Sequence, residues 1–182
     1  MNKHHLLATV LLTTILLGGC GPRFYQDTVE DDNLVEVSYN AVDQMLTTLK
    51  QPLPRGSLVV INSLVNVDNL GQTLPFGRIV SDQITSALHQ SGYRVMGMEL
   101  PTEIFAKNDV GILELPEKTK EALNAVHANA LVIGTYATGR KNVYVSLRIV
   151  DIATQNIVTS TDYSIPMGPD AKRMATIPES KD

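Results

Sequence analysis

The segment at 87–97, "ALHQSGYRVMG", and the segment at 125–134, "AVHANALVIG", run through the same series: helix end, histidine, turn, apolar strand, glycine. That echo constrains the fold more than any other feature of the chain. Two αβ units in tandem imply right-handed crossovers, hence a partly parallel sheet with helices laid on it. At 182 residues the chain is long enough for one domain with a substantial core.

Periodicity places the other elements. Helical spacing begins at Leu34, with Val37, Ala41, Val42, Met45, Leu46 and Leu49 on one face; residues 31–33 supply cap candidates, and Pro52 and Pro54 end the helix. A buried strand follows from Leu58 to about Ser63. A second helix runs from Pro75 to Gln90, its inner face made by Phe76, Ile79, Val80, Ile84, Ala87 and Leu88, and Gly92 is placed to stop it in the left-handed conformation. The strand "YRVMGM" comes next. Residues 99–115 lack a clear period, so a short helix near 103–107 and an edge strand at 112–115 are expected. Pro116 opens a third helix ending near His127. Three strands close the domain: "ALVIGTY", "NVYVSLRIVD" and "NIVTSTDYSI". In the second of these, Val143, Val145, Leu147 and Ile149 face one way, and Tyr144, Ser146 and Arg148 the other. After Pro166 the sequence is polar and irregular and reads as a mobile tail. The expected architecture is α/β (α+β): a mixed sheet of about five strands with helices packed on it, in the order α-β-α-β-α-β-β-β.

The N-terminus has a different design. Lys3 is basic, Leu6 to Leu17 is apolar apart from three threonines, and Gly18 and Gly19 precede Cys20. The apolar span falls short of the roughly 20 residues that cross a bilayer, so it reads as a secretory signal peptide. "LLGGC" resembles the lipobox of bacterial lipoproteins, in which the thiol is diacylated and the chain is cut before it. Cys20 is the only cysteine, so it has no disulfide partner and starts no CxxC pair. The expected organisation is a signal at 1–19, a lipidated tether at 20–33, a domain at 34–165 and a tail at 166–182. Three acyl chains on one residue make attachment effectively permanent. Gly21 after the cysteine, where aspartate often marks inner-membrane retention, points by that resemblance to the outer membrane. The acidic cluster of Asp27, Glu30, Asp31, Asp32 and Glu36 reads as a solvated linker.

Chemistry is sparse. A net charge of −4 with no basic stripe argues against nucleic acid. Tryptophan is absent and phenylalanine occurs three times, so the core is aliphatic. Two of the four histidines lie in the signal; His89 and His127 fall at helix ends, where an imidazole interacts well with the free carbonyls. No His, Cys or acidic spacing forms a metal set, and no cofactor motif holds up. "GTYATGRK", Gly134 to Lys141, lacks the P-loop Lys-Ser/Thr pair and joins strand to strand, so no helix N-terminus faces a phosphate. Ser81, Asp82 and His89 share one helix without forming a triad. The chain reads as a non-enzyme.

Two long segments carry a family resemblance. "VINSLVNVDNLGQTLPFGRIVSDQITSALHQSGYRV" from Val60, with Asp68, Leu70, Gly77, Arg78, Gln83 and Ile84, and "ALVIGTYATGRKNVYVSLRIVDIATQNIV" from Ala130 resemble the FlgO family of flagellum-associated outer-membrane lipoproteins. The likeness spans about 57–166. Gln155 stands where the family has glycine, so Asn156 is expected to take the positive-φ position. The resemblance implies a domain similar to the N-terminal domain of TolB and to peptidoglycan-synthase-activator lipoproteins. It further implies a lipid-anchored, periplasm-facing role in flagellar assembly, stability or motility through protein contacts. The alternative is an envelope lipoprotein that activates a peptidoglycan synthase or serves a secretion apparatus. Partners are the membrane, through Cys20, and flagellar or envelope proteins; a homo-oligomer stays open. The candidate contact residues are Asp68, Asn69, Leu70 and Arg78, in the loop after the first strand and at the start of the next helix. Gly77 reads equally as a close approach of helix to strand, and Asp68 as a turn cap.

Overall fold

Leu58–Ile61 is buried along its whole length, as a β-branched run must be when helices cover both faces of its sheet. The computed structural model describes residues 29–105 and 115–177. The expected signal, Cys20, the start of the tether, residues 112–114 of the expected edge strand and the end of the tail lie outside the described residues. The elements are α1 Leu34–Thr47, β1 Leu58–Ile61, β2 Val65–Asn66, α2 Pro75–Gln90, β3 Arg94–Gly97, a 3-10 turn Thr102–Phe105, α3 Glu117–Ala125, β4 Ala130–Thr138, β5 Asn142–Asp151, β6 Ile157–Pro166 and α4 Pro169–Ala175.

The sheet order is β3-β1-β4-β5-β6, and the two-residue β2 pairs with the far half of β4. β3, β1 and β4 are parallel, whereas β4, β5 and β6 form an antiparallel meander. The chain steps one way along the sheet from β1 to β3, then back past β1 to β4. Right-handed crossovers in opposite directions use opposite faces. Accordingly α2 and α3 help to build two separate cores. Ala41, Val42 and Met45 of α1 and Phe76, Val80, Ile84 and Leu88 of α2 cover Val59, Val132, Val145, Leu147 and Ile149. Leu123 of α3, with Ile104 and Leu115, covers Val60, Leu131, Ile133 and Val150. This second layer is short, and beyond it the outward rows of β5 and β6 leave Tyr144, Arg148, Ser160, Asp162 and Ser164 exposed.

At one end, which we call the turn end, helices hand over to strands through tight caps. After α2, Gly92 (φ 91°) donates to His89 O at 3.0 Å, and Tyr93 N donates to Leu88 O at 3.2 Å. After α3, His127 (φ 54°) donates to Asn124 O, and Ala128 N to Leu123 O, both at 3.0 Å. These are two Schellman caps. The expected helix through His127 thus stops at Ala125, because His127 takes the left-handed position that Gly92 fills in the first unit. The two histidines of the echo are therefore not equivalent; His89 matches Asn124.

Three further expectations are corrected. The positive-φ residue of the β5–β6 turn is Gln155 (φ 58°) and not Asn156. Asp151 fixes that register: its Oδ1 accepts from Thr154 N and Thr154 Oγ1 at 2.7 and 2.8 Å, and Gln155 N donates to Asp151 O at 2.8 Å. The helix expected near 103–107 is the 3-10 turn Thr102–Phe105 over the described residues. Finally, the sequence after Pro166 is no irregular tail: α4 forms there and buries Ala171 and Ala175. Its stabiliser is remote. Asp31 Oδ2 and Oδ1 accept from Asp170 N and Ala171 N, each at 2.9 Å, so one residue of the supposed solvated linker caps a helix at the other end of the chain. Asn33 Oδ1 accepts from Glu36 N at 3.3 Å and opens α1.

Candidate functional site

The strand ends opposite the turn end, which we call the loop end, carry the long connections. Their foundation is a joint around Leu64. The Leu64 N–H donates to Ser81 Oγ at 2.9 Å, and that hydroxyl donates to Gly77 O at 2.7 Å. A Cβ on Gly77 would collide with Leu64 O. The Leu64 side chain fills space that a Cβ on Gly134 would take, within 2.8 Å of Leu64 Cγ. Beside it the Tyr136 ring leans on Phe76, with centroids 5.1 Å apart and planes at 57°. Ser81 is therefore a structural residue, and Gly77 is the close approach its sequence context allowed.

On this joint the loop curls through its own backbone. Val67 N donates to Tyr136 O at 3.0 Å, Asn69 N to Asn66 O at 3.2 Å, and Gln72 N to Asn69 O at 2.9 Å. Asn66 Oδ1 accepts from Asp68 N at 2.9 Å, so the side chain that caps the turn belongs to Asn66 and not to Asp68. Asp68 and Asn69 stand exposed at the tip. Leu70 and Arg78 line a polar cleft of 280 Å³ together with Asn62, Val65, Thr73 and Glu99. Arg78 Nη2 donates to Thr73 O at 3.3 Å, bracing the loop to its own helix. The buried Asn62 accepts from Leu100 N at 3.0 Å and donates to Ser63 O at 3.1 Å, which holds the opposite wall. The structure thus brings Leu70 and Arg78 together and leaves Asp68 and Asn69 outside the cleft lining.

Sequence reasoning missed a second concavity. Val67 from the same loop, Thr135 and Ala137 of β4, Tyr144 and Ser146 of β5, and Asp162 of β6 line an open groove of 390 Å³ on the uncovered sheet face. The available signal was Tyr144, the one aromatic in the outward row of an alternating strand.

In the groove the β5–β6 register sets Ser146 opposite Asp162, and Glu99 lines the polar cleft. His89 and His127 belong to the turn end. Among the described residues no group of three or more His, Cys, Asp or Glu converges as a metal site. Two buried phenols are perturbed. Burial pushes Tyr136 up against a weaker opposing effect of the Leu74 backbone, and its hydroxyl has no hydrogen-bond partner. Burial likewise pushes Tyr163 up, well beyond the usual range, despite Ser38 nearby; the Ser38 hydroxyl is committed to Gln83 Oε1 at 2.7 Å. Both are packed tyrosines.

The fold is one that LpoB C-terminal domains adopt. Those of Salmonella enterica and Escherichia coli superpose with TM-scores of 0.52 and 0.51 at 15% and 14% identity, each covering 73% of this chain and 98% of the other. The likeness to TolB from Acinetobacter baumannii is looser, with a TM-score of 0.38 at 11% identity over 69% of this chain and 27% of that one. No curated protein matches the sequence significantly. Residues 39–170 match the family described as FlgO protein, and the chain belongs to that family.

Proposed function

We propose that this protein is a non-enzymatic lipoprotein of the outer membrane, its domain facing the periplasm, that supports flagellar assembly, stability or motility through protein contacts at the loop end. The observation that carries the reading is the family match over 39–170. Two features support it. Cys20 sits where the "LLGGC" signal would be cut and acylated, and the cleft at Leu70 and Arg78 is polar, braced and without a catalytic pair. Among the described residues no helix is long and apolar enough to cross a membrane, so attachment in this reading falls to the acyl chains.

The test is a deletion strain scored for swimming, with intact flagella counted by electron microscopy. Loss of motility restored by the wild-type gene, but not by Cys20→Ser or by the folded triple variant of Asp68, Leu70 and Arg78, is the expected outcome. Normal swimming in the deletion strain would overturn the flagellar role and favour the second reading, an envelope lipoprotein that activates a peptidoglycan synthase or serves a secretion apparatus.

A further inference from the structure

Of the exposed large apolar side chains, Val35 in the first turn of α1, Val67 in the loop after β2 and Tyr144 near the start of β5 belong to the loop end and are 51%, 46% and 55% exposed; Ile177 beyond α4 is 63% exposed, and Ile79 on α2 and Met96 on β3 are 38% and 39% exposed. At the turn end, the connections at 48–57, 91–93, 126–129 and 152–156 expose none of the large hydrophobics.

The N-terminal segment becomes fixed at the same end. Asp31 is held by the backbone of α4 through both carboxylate oxygens, and its main chain lies so close to Gly168 that a Cβ there would collide with it. Cys20 precedes Asp31 by about eleven residues, a chain that spans at most ~40 Å. A domain of this size has a radius of gyration of about 15 Å. So short a tether keeps the loop end beside the bilayer, and would have to be stretched along the whole domain to bring the turn end down instead.

We infer that the loop end rests on the lipid surface, with Val35, Val67 and Tyr144 entering the headgroup region; the inference rests on acylation of Cys20. These side chains stand singly on three elements, a spacing that suits a fluid surface because it asks for no shape match. Tyrosine is the side chain that such an interface favours, apolar in body and polar at its tip. Each contact is weak, but the anchor makes it intramolecular, at an effective concentration on the order of millimolar. The loop end carries both signs, Arg78, Arg140 and Lys141 against Asp31, Asp32, Glu36, Asp68 and Asp162, with no basic excess, so the contact is apolar and is not weakened by salt.

Acylation blocks the only native thiol, so one introduced cysteine carries a unique label. The full acylated protein bearing Val67→Cys, Tyr144→Cys or, at the turn end, Ala153→Cys is labelled with an environment-sensitive dye. It is then reconstituted into protein-free phosphatidylethanolamine–phosphatidylglycerol vesicles containing nitroxide lipid, after circular dichroism confirms the fold. The expected result is a blue shift and several-fold stronger quenching at 67 and 144 than at 153, unchanged in high salt. Equal quenching at all three positions, with the protein still floating on the vesicles, overturns the inference and leaves the anchor standing. Protein that fails to float removes the anchor and the inference with it. A blue shift at 67 and 144 that appears in native envelopes, with neither shift nor quenching in the protein-free vesicles, assigns this surface to a protein partner and also overturns it.

Discussion

The two ends of the domain solve the same problem, joining helix to strand, in opposite ways. At the turn end the joints after α2 and α3 are Schellman caps of a few residues, and the β5–β6 turn is closed by the Asp151 carboxylate. Their polar groups are spent on one another, and little projects. At the loop end the chain leaves β1 for a long excursion before α2, braced from below by Leu64, Gly77, Ser81 and Gly134 and otherwise held by its own backbone. Side chains there face outward: Asp68, Val67 and Tyr144, with Arg78 exposed but braced to Thr73 O. The contrast teaches that closed, self-satisfied connections and open, outward-facing ones are segregated along the strand axis; in other α/β sheets ligands gather beyond the carboxyl ends of the parallel strands.

The sharpest way to break that contrast is to destroy the joint beneath the loop. Gly77→Ala places a methyl group against Leu64 O, and should cost about 3 kcal/mol in urea unfolding as α2 is pushed away from the sheet. Ser81→Ala strands the buried Leu64 N–H and should cost about 2 kcal/mol by the same measurement. Asp31→Ala removes the remote cap of α4 and should cost about 1 kcal/mol, with hydrogen exchange accelerating in α4 and less elsewhere. The turn end gives a paired test: Gly92→Ala should lose about 1 kcal/mol, whereas His127→Gly, at the equivalent left-handed position, should gain up to about 1 kcal/mol. Smallest of all, Tyr144→Ser should shift stability by less than about 0.5 kcal/mol while weakening the proposed loop-end contact.

Both ends were partly legible in the sequence. Gly92 could be assigned as a cap because glycine advertises positive φ; His127 and Gln155 adopt the same conformation without advertising it, which displaced one helix end and one turn position. The long periodic strands and the two long helices were readable because each buries a face set by its own spacing, although Ile79, expected on the inner face of α2, is exposed. α4 was not, since a seven-residue helix has too little period of its own and owes its start to Asp31, 139 residues earlier in the chain. At the site, Leu70 and Arg78 emerged from the family pattern and do share a cleft. Asp68 belongs to the same pattern, with Asn69 beside it, yet both sit at the tip, because spacing along a loop does not fix which way it curls. The groove at Val67 and Tyr144 needed the sheet pairing, as Tyr144 lies opposite Ala137 and Ser164 only once three strands are in register.

The segregation of the two ends can be measured most directly by hydrogen exchange on the full acylated protein, compared between detergent solution and native cell envelopes. Protection gained at 62–74 and 142–146, with 91–93, 126–129 and 152–156 unchanged, is the predicted result. Protection gained at those three turns while the loop end exchanges as it does in detergent would contradict the account.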